Sequence, residues 1–162
     1  MKKYITVFLA ILISLLLTSC NFNKSQYISP KNKPKINYYT SEIENHIKNE
    51  ESYTIKIFDL NVYKYYEVSK KEHSIIPEFI DNIDNDNYDI EIDENLSPEY
   101  EIIIEFEKEK YIINAYNDKL ISIHPWDGIY PQDTISMEGI PDYYNIYKYC
   151  EYIKKVSRGF EG

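Results

Sequence analysis

The chain has 162 residues, with 18 basic and 27 acidic side chains and a formal net charge of −9. This length suits one domain and is tight for two. The sequence contains no basic patch, which excludes nucleic acid as a partner.

The first residues have the layout of a removable export signal. Lys2 and Lys3 precede an apolar run of 13 residues, Ile5–Leu17. As a helix this run covers roughly 20 Å, which is short of the ~30 Å hydrocarbon core of a bilayer. We therefore predict a signal peptide over residues 1–19 rather than a permanent membrane span.

The end of this signal is Leu17-Thr18-Ser19-Cys20. It resembles the lipobox of bacterial lipoproteins, although Ser19 stands where Gly or Ala is more usual. The resemblance implies a diacylglyceryl group on the Cys20 sulfur, with cleavage just before that residue. Two acyl chains would anchor the protein stably in a membrane. An ordinary secretory signal, the alternative, needs no Cys at this position. With Cys20 committed to lipid, Cys150 is left unpaired, so we expect no intrachain disulfide.

Charge then divides the mature chain into two parts. Residues 20–37 carry four Lys and no acid and are predicted to be a polar tether, whereas the chain from Glu42 onward has 12 basic and 27 acidic residues. Anionic headgroups would attract the tether and repel the domain, so we expect the domain to stand off the membrane. The whole chain resembles uncharacterised lipoproteins of low-GC Gram-positive bacteria. That resemblance implies the outer face of the plasma membrane and no particular activity.

Residues 38–162 are predicted to form a single α+β domain. Alternating and helical periodicities predict, in chain order, a helix over 40–51, strands over 53–60 and 62–68, a helix over 74–83, a strand over 88–93, a three-stranded meander over 100–124, a long loop over about 125–140 and a C-terminal helix over 141–157. This order favours an antiparallel sheet of about four to six strands with helices packed on one face.

Two local patterns define the predicted helices more closely. Ser41 and Glu44 have the spacing of a capping box at the start of the first helix. The last helix is predicted to place on one face Tyr143, Ile146, Tyr149, Cys150, Ile153 and Val156.

Motifs for metal or cofactor chemistry are weak. Asn82, Asp84, Asp86 and Asp93 have the spacing of a calcium loop, but the required Gly and the bidentate Glu are missing, which favours a plain acidic turn. The three His, residues 46, 73 and 124, lie on different elements and lack zinc spacing. We therefore expect no metal site and no cofactor.

Catalytic motifs are equally weak. The sequence has no G-x-S-x-G or HExxH motif. Cys150 lies on the apolar face of its helix, where a small core residue is the simpler interpretation than a nucleophile.

The segment "SIHPWDGIYPQD", residues 122–133, holds the single Trp of the chain. Its candidate ligand-binding side chains are His124, Trp126, Asp127, Tyr130 and Asp133. Exposed Trp and Tyr rings offer apolar faces for sugars or peptides, with polar atoms for orientation. The alternative is a structural turn in which Pro and Asp-Gly reverse the chain and the Trp caps the core.

Three functions remain open at this point. The first is a membrane-anchored binding or interaction module whose partner is a protein, a peptide or a cell-wall component. The second is a small envelope enzyme using either His124 with Asp127 or Asp133, or Cys150. The third is a regulatory or immunity-type lipoprotein that acts through its presence at the membrane.

Overall fold

The structure is a computed structural model that describes residues 32–158. The predicted signal peptide, the lipobox and most of the predicted tether lie outside these residues. In chain order the described helices and strands are α1 (Tyr38–Lys48), β1 (Thr54–Asp59), β2 (Lys64–Glu67), α2 (Ile75–Asp81), β3 (Tyr100–Glu105), β4 (Lys110–Asn117), β5 (Leu120–Pro125), β6 (Asp133–Ser136) and α3 (Ile146–Arg158). Short 3-10 turns are formed by Lys70–Glu72, Asn85–Asn87 and Asp142–Tyr144.

The six described strands form one antiparallel sheet in the order β2-β1-β3-β4-β5-β6. Strands β3, β4 and β5 form the predicted meander, because runs rich in Ile and Tyr are joined by two short turns. Helix α1 packs against β5 and β6, and α3 packs across β2, β3 and β4. The predicted α+β class, with a C-terminal helix, is confirmed.

Isoleucine dominates the core between the sheet and the helices. The largest fully buried side chains are Phe79 and the isoleucines 43, 55, 57, 76, 102, 104, 113, 121, 123, 135 and 146. They belong to one continuous cluster. Each such side chain contributes about 1.5–3 kcal/mol on burial, so the core itself stabilises a domain whose one described Cys is free.

The first helix begins two residues earlier than predicted. The predicted capping box is wrong, because Ser41 lies inside α1 and its Oγ donates to the Asn37 carbonyl at 2.8 Å. Tyr38 and Tyr39 are therefore helical residues.

The predicted strand over 88–93 is wrong. Tyr88 forms a single bridge to Ile135, and Asp89, at φ +63°, leaves the extended conformation at once. A left-handed residue breaks the strand ladder, so alternation in the sequence did not lead to pairing. Ile90 is exposed.

The predicted loop over 125–140 contains a strand that the sequence pattern did not indicate. Residues Asp133–Ser136 form β6, which pairs with β5 from Ile123 to Leu120. Of these four residues, Asp133 and Ile135 are buried. Because the first residue of β6 is a buried acid, the sequence lacks the alternation of apolar and polar residues that would have predicted this strand.

The predicted apolar face of the last helix is correct in its centre and wrong at its ends. Ile146, Tyr149, Cys150 and Ile153 are buried, whereas Tyr143 and Val156 are exposed. Tyr143 precedes α3 in a 3-10 turn. Asn145 ends that turn and caps α3, because its Oδ1 accepts from the Lys148 N–H at 3.1 Å.

The antiparallel register separates two ends of the sheet. The β3–β4 turn (106–109) and the β5–β6 connection (126–132) lie at one end, which we name the loop end. The β1–β2 turn (60–63) and the β4–β5 turn (118–119) lie at the other, which we name the far end. The described chain starts at the loop end, where Lys33 Nζ donates to the Gln132 carbonyl at 3.0 Å.

Candidate functional site

A groove of about 590 Å³ opens at the loop end. We name it the aromatic groove. Helix α1, the β3–β4 turn with the start of β4, and the β5–β6 connection each supply one wall. The lining residues are Tyr38, Tyr39, Glu42, Lys108, Glu109, Lys110, Tyr111 and 125–130.

A tyrosine clamp fixes one wall of the aromatic groove. The Tyr39 hydroxyl donates to the Tyr130 carbonyl at 3.1 Å and accepts from the Tyr130 N–H at 3.0 Å. A side chain at Gly128 would place Cβ 2.7 Å from that hydroxyl and from Pro125. The connection therefore needs Gly at this position because of the close approach of Tyr39. The Tyr38 ring meets the Tyr130 ring edge-on at 5.0 Å.

Trp126 projects from this wall into solvent. Its side chain is 69% exposed, so it does not cap the core. Its backbone N–H donates to the Lys110 carbonyl at 2.9 Å, and Lys110 Nζ lies 5.2 Å from the ring centroid. Trp126 also borders a second depression beside His124, so the indole forms a ridge between the two. This arrangement is suited to contact with a partner.

His124 lies on the sheet face opposite the helices, outside the aromatic groove. Its Nε2 lies 3.2 Å from the Asn114 amide nitrogen, and its Nδ1 lies 3.0 Å from the Pro125 carbonyl oxygen. These partners place the ring proton on Nδ1. His124 contacts an amide and a carbonyl, whereas the Asp133 carboxylate is bonded to Thr40 and Lys33, so the structure does not join these two side chains.

Asp133 is a buried structural residue in this fold. Its Oδ2 accepts from the Thr40 N–H at 2.7 Å and from Thr40 Oγ1 at 2.8 Å. Its Oδ1 accepts from Lys33 Nζ at 3.1 Å. These contacts join α1 and the start of the described chain to β6. Asp127, by contrast, is exposed on the β5–β6 connection.

A charged cluster that sequence reasoning missed lies next to the groove. His46 Nδ1 lies 2.9 Å from the Glu51 carboxylate, and Nε2 lies 3.1 Å from that of Glu109. Tyr111 donates to the same Glu109 carboxylate at 2.5 Å. Burial lowers the pKa of His46, but the two carboxylates outweigh it and raise the pKa above its ordinary 6.5. This cluster joins α1 to the β3–β4 turn.

We expect His46→Gln to destabilise the protein more at low pH than at high pH. A histidine whose pKa is raised by folding adds stability that is complete below the unfolded value and is lost as pH rises through the folded value. The partner carboxylates are about half exposed, so the contribution is at most about 1 kcal/mol. Urea unfolding at about pH 5.5 and about pH 8.5 measures it.

The matched control for this experiment is His124→Gln, whose ring contacts an amide and a carbonyl. Equal loss of stability at both pH values in His46→Gln would contradict the prediction.

Cys150 is fully buried in α3. Burial raises the pKa of its thiol well above the ordinary value, and the nearby Asp59 and Glu151 carboxylates act in the same direction. A buried neutral thiol is a weak nucleophile.

We expect Cys150 to resist alkylation in the folded protein. Its reaction with a thiol reagent requires opening of the core, so the labelling rate should rise with urea in parallel with the unfolded fraction. Timed alkylation read by mass spectrometry on a Cys20→Ser background measures this rate. Fast labelling without urea would show that the thiol is accessible.

The acidic run before β3 serves local structure. Asn82 donates to the Glu78 carbonyl at 2.8 Å, and Asp84 with Asn87 forms a capping box. Asp93 accepts from the backbone and side chain of Asn95, which lowers its pKa. No group of three or more His, Cys, Asp or Glu able to hold a metal occurs within residues 32–158. A helix long and apolar enough to cross a membrane is likewise absent from that range.

Sequence reasoning located one wall of the aromatic groove and missed the other two. Trp126, Asp127 and Tyr130 lie on the wall that the unusual composition of residues 122–133 indicated. Tyr38 and Tyr39 come from more than 80 positions earlier. The available signal for Tyr39 was Gly128, since a Gly permits close approach of another group to the backbone.

The fold and the groove define the class of protein: a small α+β domain with an aromatic groove at the loop end, where the described chain starts. The chain belongs to the family described as "Domain of unknown function (DUF4883)", whose model matches residues 33–150. A solved structure described as "Putative Lipoprotein from Clostridium perfringens" is similar to it, with 28% sequence identity and a TM-score of 0.69. The match covers 76% of this chain and 98% of the other. No curated protein matches the chain.

These comparisons agree with the resemblance to lipoproteins of low-GC Gram-positive bacteria, the group to which Clostridium perfringens belongs. The lipobox at Cys20 lies outside the described residues.

Proposed function

We propose that this protein is a lipoprotein anchored through Cys20 to the outer face of the plasma membrane, and that its domain is a binding module. Its partner is a protein or a cell-wall component held in the aromatic groove. One observation carries the binding part: Trp126, 69% exposed, stands on a ridge beside a groove of about 590 Å³.

The lining of the aromatic groove supports binding rather than chemistry. Tyr38, Tyr130 and Trp126 supply apolar ring faces, and the charges of Glu42 and Lys108 stand beside them. The Tyr111 hydroxyl and the Glu109 carboxylate already bond each other. Rings with a few orienting polar groups are typical of sites for glycans and peptides.

The anchoring part depends on the lipobox and on the similar Clostridium perfringens protein. Cys20→Ser should release the protein from the membrane fraction and abolish incorporation of a labelled fatty acid. A variant that stays membrane-bound and still carries lipid would contradict anchoring at this residue.

Photo-crosslinking in the native envelope tests the groove. A benzophenone amino acid at Lys108, which lines the groove, should give a discrete adduct. The same group at Tyr143, 79% exposed in the 3-10 turn before α3, is the matched control. Trp126→Ala should reduce the Lys108 adduct without affecting the fold. Equal adducts at both positions, or an adduct indifferent to Trp126, would contradict binding in the groove.

A further inference from the structure

We propose that the loop end of the domain contacts the bilayer, with Trp126 and Ile129 seated in the membrane interface. This inference rests on the proposed anchoring through Cys20. It adds a second partner, the lipid of the protein's own membrane, for the outer surface of the β5–β6 connection, since Trp126 borders both the aromatic groove and the depression beside His124.

The first support is where the chain enters the domain. Lys33 is fixed to the Gln132 carbonyl and to Asp133, and Tyr38 contacts the Tyr130 ring. The segment between them therefore runs beside the β5–β6 connection. Only 12 residues lie between Cys20 and Lys33, so the 13 steps along the chain span at most about 45 Å even when fully extended. The link to the anchor therefore leaves the domain at the loop end and not at the far end.

The second support is the chemistry of the exposed side chains. Trp126 and Ile129 are 69% and 50% exposed, and Ile36 on the entering segment is exposed as well. Exposed Lys35 and Lys108 stand at the same end. Trp and Tyr concentrate at membrane–water interfaces, where the ring is buried and the polar atom stays hydrated. Apolar side chains grouped with Lys beside a lipid anchor fit that environment.

The acidic composition of the domain predicts that it stands off an anionic surface, and the proposed contact departs from that expectation at the loop end alone. At the loop end, exposed Lys35 and Lys108 are mixed with the exposed acids Glu107, Glu109 and Asp127. Because both signs are present there, we expect apolar burial to decide the orientation. The contact should therefore form on zwitterionic lipid.

The single Trp of the sequence makes a direct test. The mature lipoprotein is reconstituted into phosphatidylcholine vesicles, with or without bromine on the acyl chains, and only protein that floats with the vesicles is measured. Trp126 emission should shift to shorter wavelength and lose intensity in the brominated vesicles. The control is the double variant Trp126→Phe/Tyr143→Trp, whose Trp lies outside the loop end and should not be quenched.

A second pair of variants keeps the probe in place. Ile129→Ser should reduce quenching of Trp126, and Val62→Ser, at a side chain 49% exposed at the far end, should leave it unchanged. Both sites are exposed, so folding is preserved.

The remaining outcomes overturn the inference. Unquenched Trp126 on floated protein, or equal quenching of both Trp positions, would show that the loop end does not face the bilayer. A shift of Trp126 emission that depends on the amount of protein per vesicle, and not on bromine, would show that the Trp126 ridge contacts a second copy of the protein. Failure of the protein to float, with no lipid at Cys20 by mass spectrometry, would instead remove the anchoring proposal.

Discussion

Lys154→Met is expected to lower the free energy of unfolding by about 3 kcal/mol, because it leaves the Asp59 carboxylate buried without its cation. Asp59 is fully buried, and Lys154 Nζ lies 2.5 Å from its Oδ2. The other oxygen, Oδ1, accepts from the Asn61 N–H at 2.9 Å and from the Val62 N–H at 3.3 Å. Urea unfolding at neutral pH measures the loss.

The neighbouring Lys155→Met is the matched control. Lys155 is exposed on the same helix, so its removal should change stability by less than about 0.5 kcal/mol. The double variant Asp59→Asn/Lys154→Met should recover part of the loss, since no uncompensated charge is then buried. Similar losses in both single lysine variants would show that the Asp59–Lys154 pair is not the cause.

This ion pair explains how α3 is fixed to the sheet. Lys154 also lies over the Tyr100 ring at 5.5 Å, so one side chain joins the helix to β1 and β3. The Asp59 hydrogen bond raises the pKa of Lys154, which keeps the cation charged. Nothing in the sequence near Asp59 indicates a partner 95 positions away.

Elements with a local cause were predictable from the sequence, and elements with a long-range cause were not. The β3–β4–β5 meander follows from runs of β-branched and aromatic residues and two short turns, which need only neighbouring residues. Strand β6 pairs its buried Asp133 with Lys33 and Thr40, both about 100 positions away, so an acid that reads as a loop residue lies inside a sheet.

The aromatic groove follows the same division. The composition of residues 122–133 indicated one wall of the groove, because this segment contains Trp126, the single Trp of the sequence. The chain has 18 Tyr, and no local pattern distinguishes Tyr38 and Tyr39 from the others. Their position depends on docking of α1 against β5 and β6, which hydrophobic periodicity indicates only as an apolar face.

Asp133→Ala is expected to destabilise the protein by about 3 kcal/mol, since it leaves the buried Thr40 N–H without an acceptor and Lys33 without its counterion. Asp127→Ala is the matched control, because this exposed carboxylate belongs to the same connection and should change stability by less than about 0.5 kcal/mol. Denaturant unfolding of the two variants side by side measures the difference.

The same pair of variants separates a structural carboxylate from one that contacts a ligand. If Asp133 acts only by joining Lys33 and Thr40 to β6, the Lys108 crosslink should fall in Asp133→Ala only as far as the folded fraction falls. Asp133→Asn, which keeps an oxygen for the Thr40 N–H, should lose less stability than the Ala variant. A stable Asp133→Ala protein that no longer forms the crosslink would instead make Asp133 part of the binding surface, and would require the buried side chain to open toward the partner.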